Sequence, residues 1–140
     1  MRIVLDTNVV LDLIVFHDPG ATDLKAAIDS GQITLLTSPD CLVELRRVLA
    51  YVAFGLDQAA QESAFAWFRD RVHVSDAPPS EPLLPRCRDR DDQKFLDLAW
   101  ESNADYLVTK DKALLELARR VARLGRFLVS SPTELPLGSR

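Results

Sequence analysis

The sequence predicts an α/β fold, a three-layer α/β/α sandwich with a mostly parallel central sheet. Short apolar runs of strand length, such as Ile3-Val4-Leu5 and Tyr106-Leu107-Val108, alternate with stretches whose apolar residues recur at helical spacing. Strands separated by helices pair in parallel through crossovers, which coats both faces of the sheet with helices. The 140 residues, 47% hydrophobic and 27% charged, suit one core that buries roughly two-thirds of the unfolded surface. Residues 1–140 are therefore read as a single domain.

Arg2 to Leu5 reads as the first strand and Asn8 to Val15 as the first helix. The turn residues Asp18-Pro19-Gly20 separate it from a helix over Ala21 to Ser30, which Gly31 ends. Ile33 to Thr37 is a second strand. Ser38-Pro39 opens a helix to about Ala50, because proline in the first turn has no N–H that the helix needs. Its Leu42, Leu45, Val48 and Leu49 form one apolar stripe. Asp57 caps a helix that carries Ala60, Ala64, Trp67 and Phe68, and Arg71 to Val74 reads as a strand.

Ala77 to Pro85 holds four prolines in nine positions and reads as a connecting loop, since proline fixes φ and removes a backbone donor. Asp91 or Asp92 begins a helix through Phe95, Leu96, Ala99 and Trp100. Tyr106 to Thr109 is a strand, Lys112 to Leu124 a helix ended by Gly125, and Phe127 to Val129 a last strand. The tail from about Pro132 has little periodicity and is expected to be peripheral. The aromatic residues Phe65, Trp67, Phe68 and Trp100 read as core or subunit-interface positions.

No apolar stretch approaches the ~20 residues that span a bilayer, and the first residues read as a strand rather than a signal sequence. A cytoplasmic protein with no membrane partner is expected. Cys41 and Cys87 lack the paired spacing of a zinc or redox site and are expected to be free thiols. The net charge of -4 opposes polyanion binding in bulk, but the charge is uneven. Residues 1–85 hold 6 Lys/Arg against 12 Asp/Glu, and residues 86–140 hold 11 against 9. Any basic surface belongs to the second half.

Four acids stand where such folds keep their chemistry, at or beyond the carboxyl ends of strands. Asp6 follows the first strand, Glu44 lies in the helix after Ser38, Asp92 opens a helix and Asp111 follows the strand Tyr106 to Thr109. Alone, Asp6, Asp92 and Asp111 each suit a helix N-terminus, where a carboxylate caps amides and meets the positive end of the dipole. Glu44 alone suits a surface position. Together they offer hard oxygen ligands without histidine or cysteine, which fits Mg²⁺ or Mn²⁺ and not zinc. Such a cluster supports phosphodiester hydrolysis. Asn8 and Thr109 could position water or a carboxylate by hydrogen bonding, while Thr7 reads as a cap or a similar helper.

Four segments carry a family resemblance: Met1-Arg-Ile-Val-Leu-Asp-Thr-Asn-Val-Val; Ser38-Pro-Asp-Cys-Leu-Val-Glu-Leu; Cys87-Arg-Asp-Arg-Asp-Asp-Gln-Lys-Phe-Leu-Asp-Leu-Ala; and Ala104-Asp-Tyr-Leu-Val-Thr-Lys-Asp-Lys-Ala-Leu-Leu. In this order, over residues 1–115, they resemble the PIN-domain nucleases, most of all the VapC-like toxins of bacterial toxin–antitoxin systems. The resemblance implies a parallel sheet between helical layers and a Mg²⁺- or Mn²⁺-dependent ribonuclease acting on single-stranded RNA. It implies Asp6, Glu44, Asp92 and Asp111 as catalytic metal ligands, with Ser38, Asn8 and Thr109 in support. It further implies a cognate antitoxin and a homodimer.

The third acid is open among Asp89, Asp91 and Asp92; Phe95 and Ala99, at +3 and +7 from Asp92, favour that residue. The chain departs from the family pattern at Arg90, Gln93 and Lys110, where the branch often carries Pro, Asp and Gly. Arg88, Arg90, Lys94 and Lys110 flank the acids and are candidate phosphate contacts, with ordinary surface charge the alternative. Arg46 and Arg47 read as a solvated helix face, and Asp12 as a solvent-facing helix residue. A catalytically weak PIN-like subunit, working by protein or RNA binding alone, is the competing functional reading.

Overall fold

The computed structural model describes residues 1–76 and 84–137. Most of the proline-rich stretch expected to form a loop, residues 77–83, lies outside them. Five strands, β1 (Arg2–Leu5), β2 (Thr34–Thr37), β3 (Val72–Val74), β4 (Tyr106–Val108) and β5 (Leu128–Ser130), form one sheet in the order β3-β2-β1-β4-β5. Every pairing is parallel, so the sheet is wholly rather than mostly so. The helices are α1 (Thr7–Ile14), α2 (Thr22–Asp29), α3 (Pro39–Leu49), α4 (Gln58–Arg69), α5 (Gln93–Glu101), α6 (Lys112–Leu115) and α7 (Ala118–Ala122).

The two-residue period of a strand sorts the core onto two faces. Ile3, Leu5, Leu35 and Val108 pack on one side against Val9, Leu13, Leu24, Leu45, Leu49, Phe65 and Phe68, so α1 to α4 make that layer. Val4, Leu36, Leu107 and Val129 pack on the other against Phe95, Leu96, Ala99, Leu114, Leu117 and Val121, from α5 to α7 and the turn within the last pair. Strands covered on both faces read as continuous apolar runs. The two free thiols, Cys41 and Cys87, are buried in the second layer.

Gly31 and Gly125 adopt left-handed φ of 84° and 72° at the ends where helices were expected to stop, a conformation that glycine reaches without steric penalty. Two expectations need correction. The helix over Lys112 to Leu124 is broken into α6 and α7, because the chain tightens at Leu117, whose N–H bonds Leu114 O at 3.0 Å. That tightening keeps Leu114, Leu117 and Val121 buried together. The tail is not wholly peripheral: Leu135 is 5% exposed within the first core layer, and Leu137 packs against it.

The strand order matters for the site. From β1 the chain steps to β2 and β3 on one side, then returns to lay β4 on the other side of β1. Connections leave the carboxyl ends of β1 and β4 in opposite directions there, which opens a crevice at the switch point. Leu5 pairs with Val108 in this register, so Asp6 and Thr109 are the next residues on both strands.

Candidate active site

Asp6 ends β1 in that crevice and caps α1 with extended backbone. Its Oδ1 accepts the Val9 N–H at 3.0 Å, and its Oδ2 accepts the Thr109 hydroxyl. The residue is buried, and that burial pushes its carboxyl above the ordinary value against the pull of the Thr109 and Val9 donors. Thr109 is fully buried, and its hydroxyl oxygen accepts the Asp111 N–H at 2.9 Å. With that amide on its lone pair, the single hydroxyl proton is directed at Asp6. One threonine thereby ties the first acid to the last.

Asp111 caps α6 by accepting the Ala113 N–H at 2.8 Å. Asp92 closes a 3-10 turn, Arg90–Asp92, that leads into α5, and Asp89 caps the turn by accepting the Asp91 N–H at 3.0 Å. One carboxylate oxygen from each of Asp89, Asp92 and Asp111 lies within 4.8 Å of the other two, a spacing at which one cation could be held. Asp92 Oδ2 is buried and accepts no hydrogen bond. Burial first, and then the adjoining Asp111 carboxyl, push Asp92 up to about 8. Asp111 moves the opposite way, lowered first by the hydrogen bond from Asp92.

Glu44 stands apart from this trio. It projects from α3, accepts the Thr7 hydroxyl, and holds Lys94 Nζ at 2.7 Å with Arg47 at 4.0 Å. Lys94 also donates to Asp91 O at 2.5 Å, so it bridges α3 and the turn before α5. Of the acids that competed for third place, Asp91 is exposed and its N–H donates into the turn, while Asp89 and Asp92 both approach Asp111.

Ser38 caps α3 through the Cys41 N–H at 3.3 Å. Asn8 is exposed on α1 and lines a cleft with Asp12, Phe16, Lys110 and Asp111. Arg88 is paired with Glu116 at 2.8 Å and Arg90 is exposed. Arg46 lies on a solvated face with Glu62 at 2.9 Å. Asp12 does not face solvent: it is 6% exposed and forms an ion pair with Lys110 at 2.5 Å. Asp12 lies between exposed Asn8 and Phe16 at helical spacing, and Lys110, which arrives there from beyond the end of β4, covers it. The ion pairs of Lys94 and Lys110 had no signal in the sequence, since residues 50 and 98 positions apart meet only through the sheet order.

A family model described as PIN domain matches residues 2–113, and the chain belongs to that family, whose members are typically nucleases. Among solved structures, the crystal structure of VapBC2 from Rickettsia felis bound to a DNA fragment from their promoter is similar, at a TM-score of 0.57. The alignment is 19% identical and covers 94% of this chain and 98% of the matched chain, a likeness of fold. No curated protein matches the sequence. Among the described residues, no helix is long and apolar enough to cross a membrane.

Proposed function

We propose that the protein is a Mg²⁺- or Mn²⁺-dependent endoribonuclease that hydrolyses phosphodiester bonds of single-stranded RNA. The observation that carries this reading is the convergence of Asp89, Asp92 and Asp111 beside buried Asp6 at the switch point of the sheet. The donor set fits a hard divalent cation: it is all oxygen, and the buried Asp92 Oδ2 has no partner to offset its desolvation. Asp6, Asp92 and Asp111 would hold the ion, with Asp89 as an added ligand. A bound ion of this kind neutralises phosphate charge, activates water and steadies the leaving oxygen.

The protein's own groups do the positioning. Thr109 orients the Asp6 carboxylate and fixes the Asp111 backbone, while the Ala113 N–H orients the Asp111 carboxylate. Glu44 acts through Lys94, which it holds at the rim of the acids, where the ammonium can meet an RNA phosphate. Lys110, Arg88 and Arg90 adjoin the acids in the chain and can also meet phosphate, Lys110 and Arg88 while paired with Asp12 and Glu116. Asn8 faces the cleft and can hydrogen-bond a substrate oxygen or a water.

Similarity to a VapBC2 structure supports a toxin role with a cognate antitoxin; the sequence resemblance alone adds a homodimeric, cytoplasmic protein. A second reading, a PIN-like binding subunit with little catalysis, draws on one observation: Glu44 is paired with Lys94 and lies outside the acidic trio. Cleavage of single-stranded RNA by metal-stripped protein, with and without added Mg²⁺ or Mn²⁺ and beside Asp6→Asn, decides between them. Metal-dependent cutting that Asp6→Asn abolishes supports the nuclease. Equal inactivity of both proteins, or cutting without metal, sinks it.

A further inference from the structure

We infer that Phe16 is a nucleobase platform, on which one base of the single-stranded substrate stacks beside the phosphate to be cut; this rests on the nuclease reading above. Phe16 is 52% exposed and lines the cleft that Asp111, Lys110, Asn8 and Asp12 complete. A half-exposed phenyl ring is ordinary on a surface. Its place in one cleft with a member of the acidic cluster is not.

The ring is held rather than loose. The Phe16 N–H bonds Leu11 O at 3.0 Å, which closes the end of α1, and His17 then turns the chain at a φ of 48°. Phe54 meets Phe16 edge to face, with centroids 5.4 Å apart at 82°, and Tyr51 continues the row at 6.0 Å from Phe54. Edge-to-face packing of this kind braces one side of a ring pair and leaves a face free. A rigid aromatic loses little freedom when a ligand stacks on it.

The cleft's chemistry suits one nucleotide. Its volume of about 220 Å³ is smaller than the roughly 300–1,000 Å³ of drug-sized pockets. An aromatic wall and an exposed asparagine amide match a base and a sugar or base edge, and Lys110, paired with Asp12 but with its side chain 48% exposed, can also meet a phosphate. Proteins that grip single strands pair cations with aromatic faces in this way, and the stacking tolerates any base. The same row of rings, continued by Val52 at 94% exposure, could instead meet another protein. Continuity with Asp111 and Lys110 favours the nucleic acid.

The test uses full-length protein, single-stranded RNA oligonucleotides, and the same oligonucleotides carrying an abasic residue scanned through the cleavage site. Phe16→Ala is expected to raise KM about ten-fold with kcat little changed, and Phe16→Trp to restore it. With the abasic residue at the stacking position, wild type and Phe16→Ala become equal. An unchanged KM in Phe16→Ala, or the same loss on every abasic substrate, overturns the platform. Fluorescence anisotropy of labelled RNA with Ca²⁺ reads the same contrast without cleavage. RNA binding that depends on Phe16, in a protein that never cuts, leaves the platform standing and removes the nuclease. Cutting that depends on metal and Asp6, with RNA affinity indifferent to Phe16, does the reverse. Self-association lost in Phe16→Ala while RNA affinity holds assigns the rings to a second copy of the chain and refutes the platform.

Discussion

Thr109→Val removes one buried hydroxyl and nothing else of comparable volume, so it isolates the tie between Asp6 and Asp111. The hydroxyl donates to a carboxylate and accepts an amide, both where Thr109 itself is 0% exposed. A hydrogen bond to a charged group is worth about 1.5–3 kcal/mol, and an amide left without an acceptor costs about 1–3 kcal/mol. The added methyl returns roughly 0.8 kcal/mol of burial. The net loss is about 3 kcal/mol once Asp6 is ionised. For a chain of 140 residues, an unfolding entropy of about 0.3 kcal/mol/K turns this into a Tm lower by about 10 °C.

The loss should depend on pH in a definite direction. Burial raises the folded pKa of Asp6 above its unfolded value, so its contribution favours folding in acid and is lost as pH rises through the folded pKa. Removing a donor that pulls this value down raises it further, and the added penalty falls at high pH. Below the unfolded pKa Asp6 is protonated in both states, and about 1–2 kcal/mol remains from the Asp111 amide alone. Urea denaturation of wild type and variant at pH 8 and pH 3 reads the difference. A loss under about 1 kcal/mol at pH 8, or an equal loss at both, would refute the relay through Thr109.

Metal and proton should compete at Asp92. Its folded pKa of about 8 lies above the ordinary 3.8, so metal-free protein loses stability as pH rises from about 4 to 8; the Tm gain on adding Mg²⁺ should therefore grow over that range and level off above it. A gain that ignores pH in scanning fluorimetry would count against Asp92 as a ligand. The ion pair of Asp12 and Lys110 should be asymmetric, because the Asp12 side chain is 8% exposed and the Lys110 side chain 48%. Lys110→Met strands a buried charge and should destabilise by roughly 3 kcal/mol, whereas Asp12→Asn leaves a lysine free to re-enter water and should cost about 1 kcal/mol; equal losses in chemical denaturation would remove the asymmetry.

How much of this was legible in the sequence follows from the range of the interactions. Asp6, Ser38, Asp57 and Asp111 are caps whose partners lie two or three residues away, and the local pattern reveals them. Gly31 and Gly125 mark their helix ends for the same reason. The break at Leu117 has no such marker, because nothing in Leu114 to Val121 departs from helical spacing. Long-range pairing is a different matter. That Asp92 faces Asp111, that Glu44 meets Lys94, and that Lys110 reaches Asp12 all depend on β4 lying beside β1, a fact of sheet order that no window of sequence contains.

Gln93 shows why a departure from a family pattern is best judged by what the side chain touches. In charge alone it subtracts one acid from the run at 89–93. In the fold its Oε1 accepts the Cys87 N–H at 2.7 Å, and its amide reaches Pro85 O and Asp97 at 3.4 Å each. The segment that delivers Asp89 and Asp92 is thus fastened at its base by the residue that stands where the resembled branch often carries an acid. An aspartate there has no amide donor for Pro85 O and would add a fourth negative group beside a pair already sharing charge. The substitution exchanges a possible ligand for a fixed approach to the remaining ones, which is consistent with a trio of acids held within 4.8 Å and with Glu44 left to position a lysine.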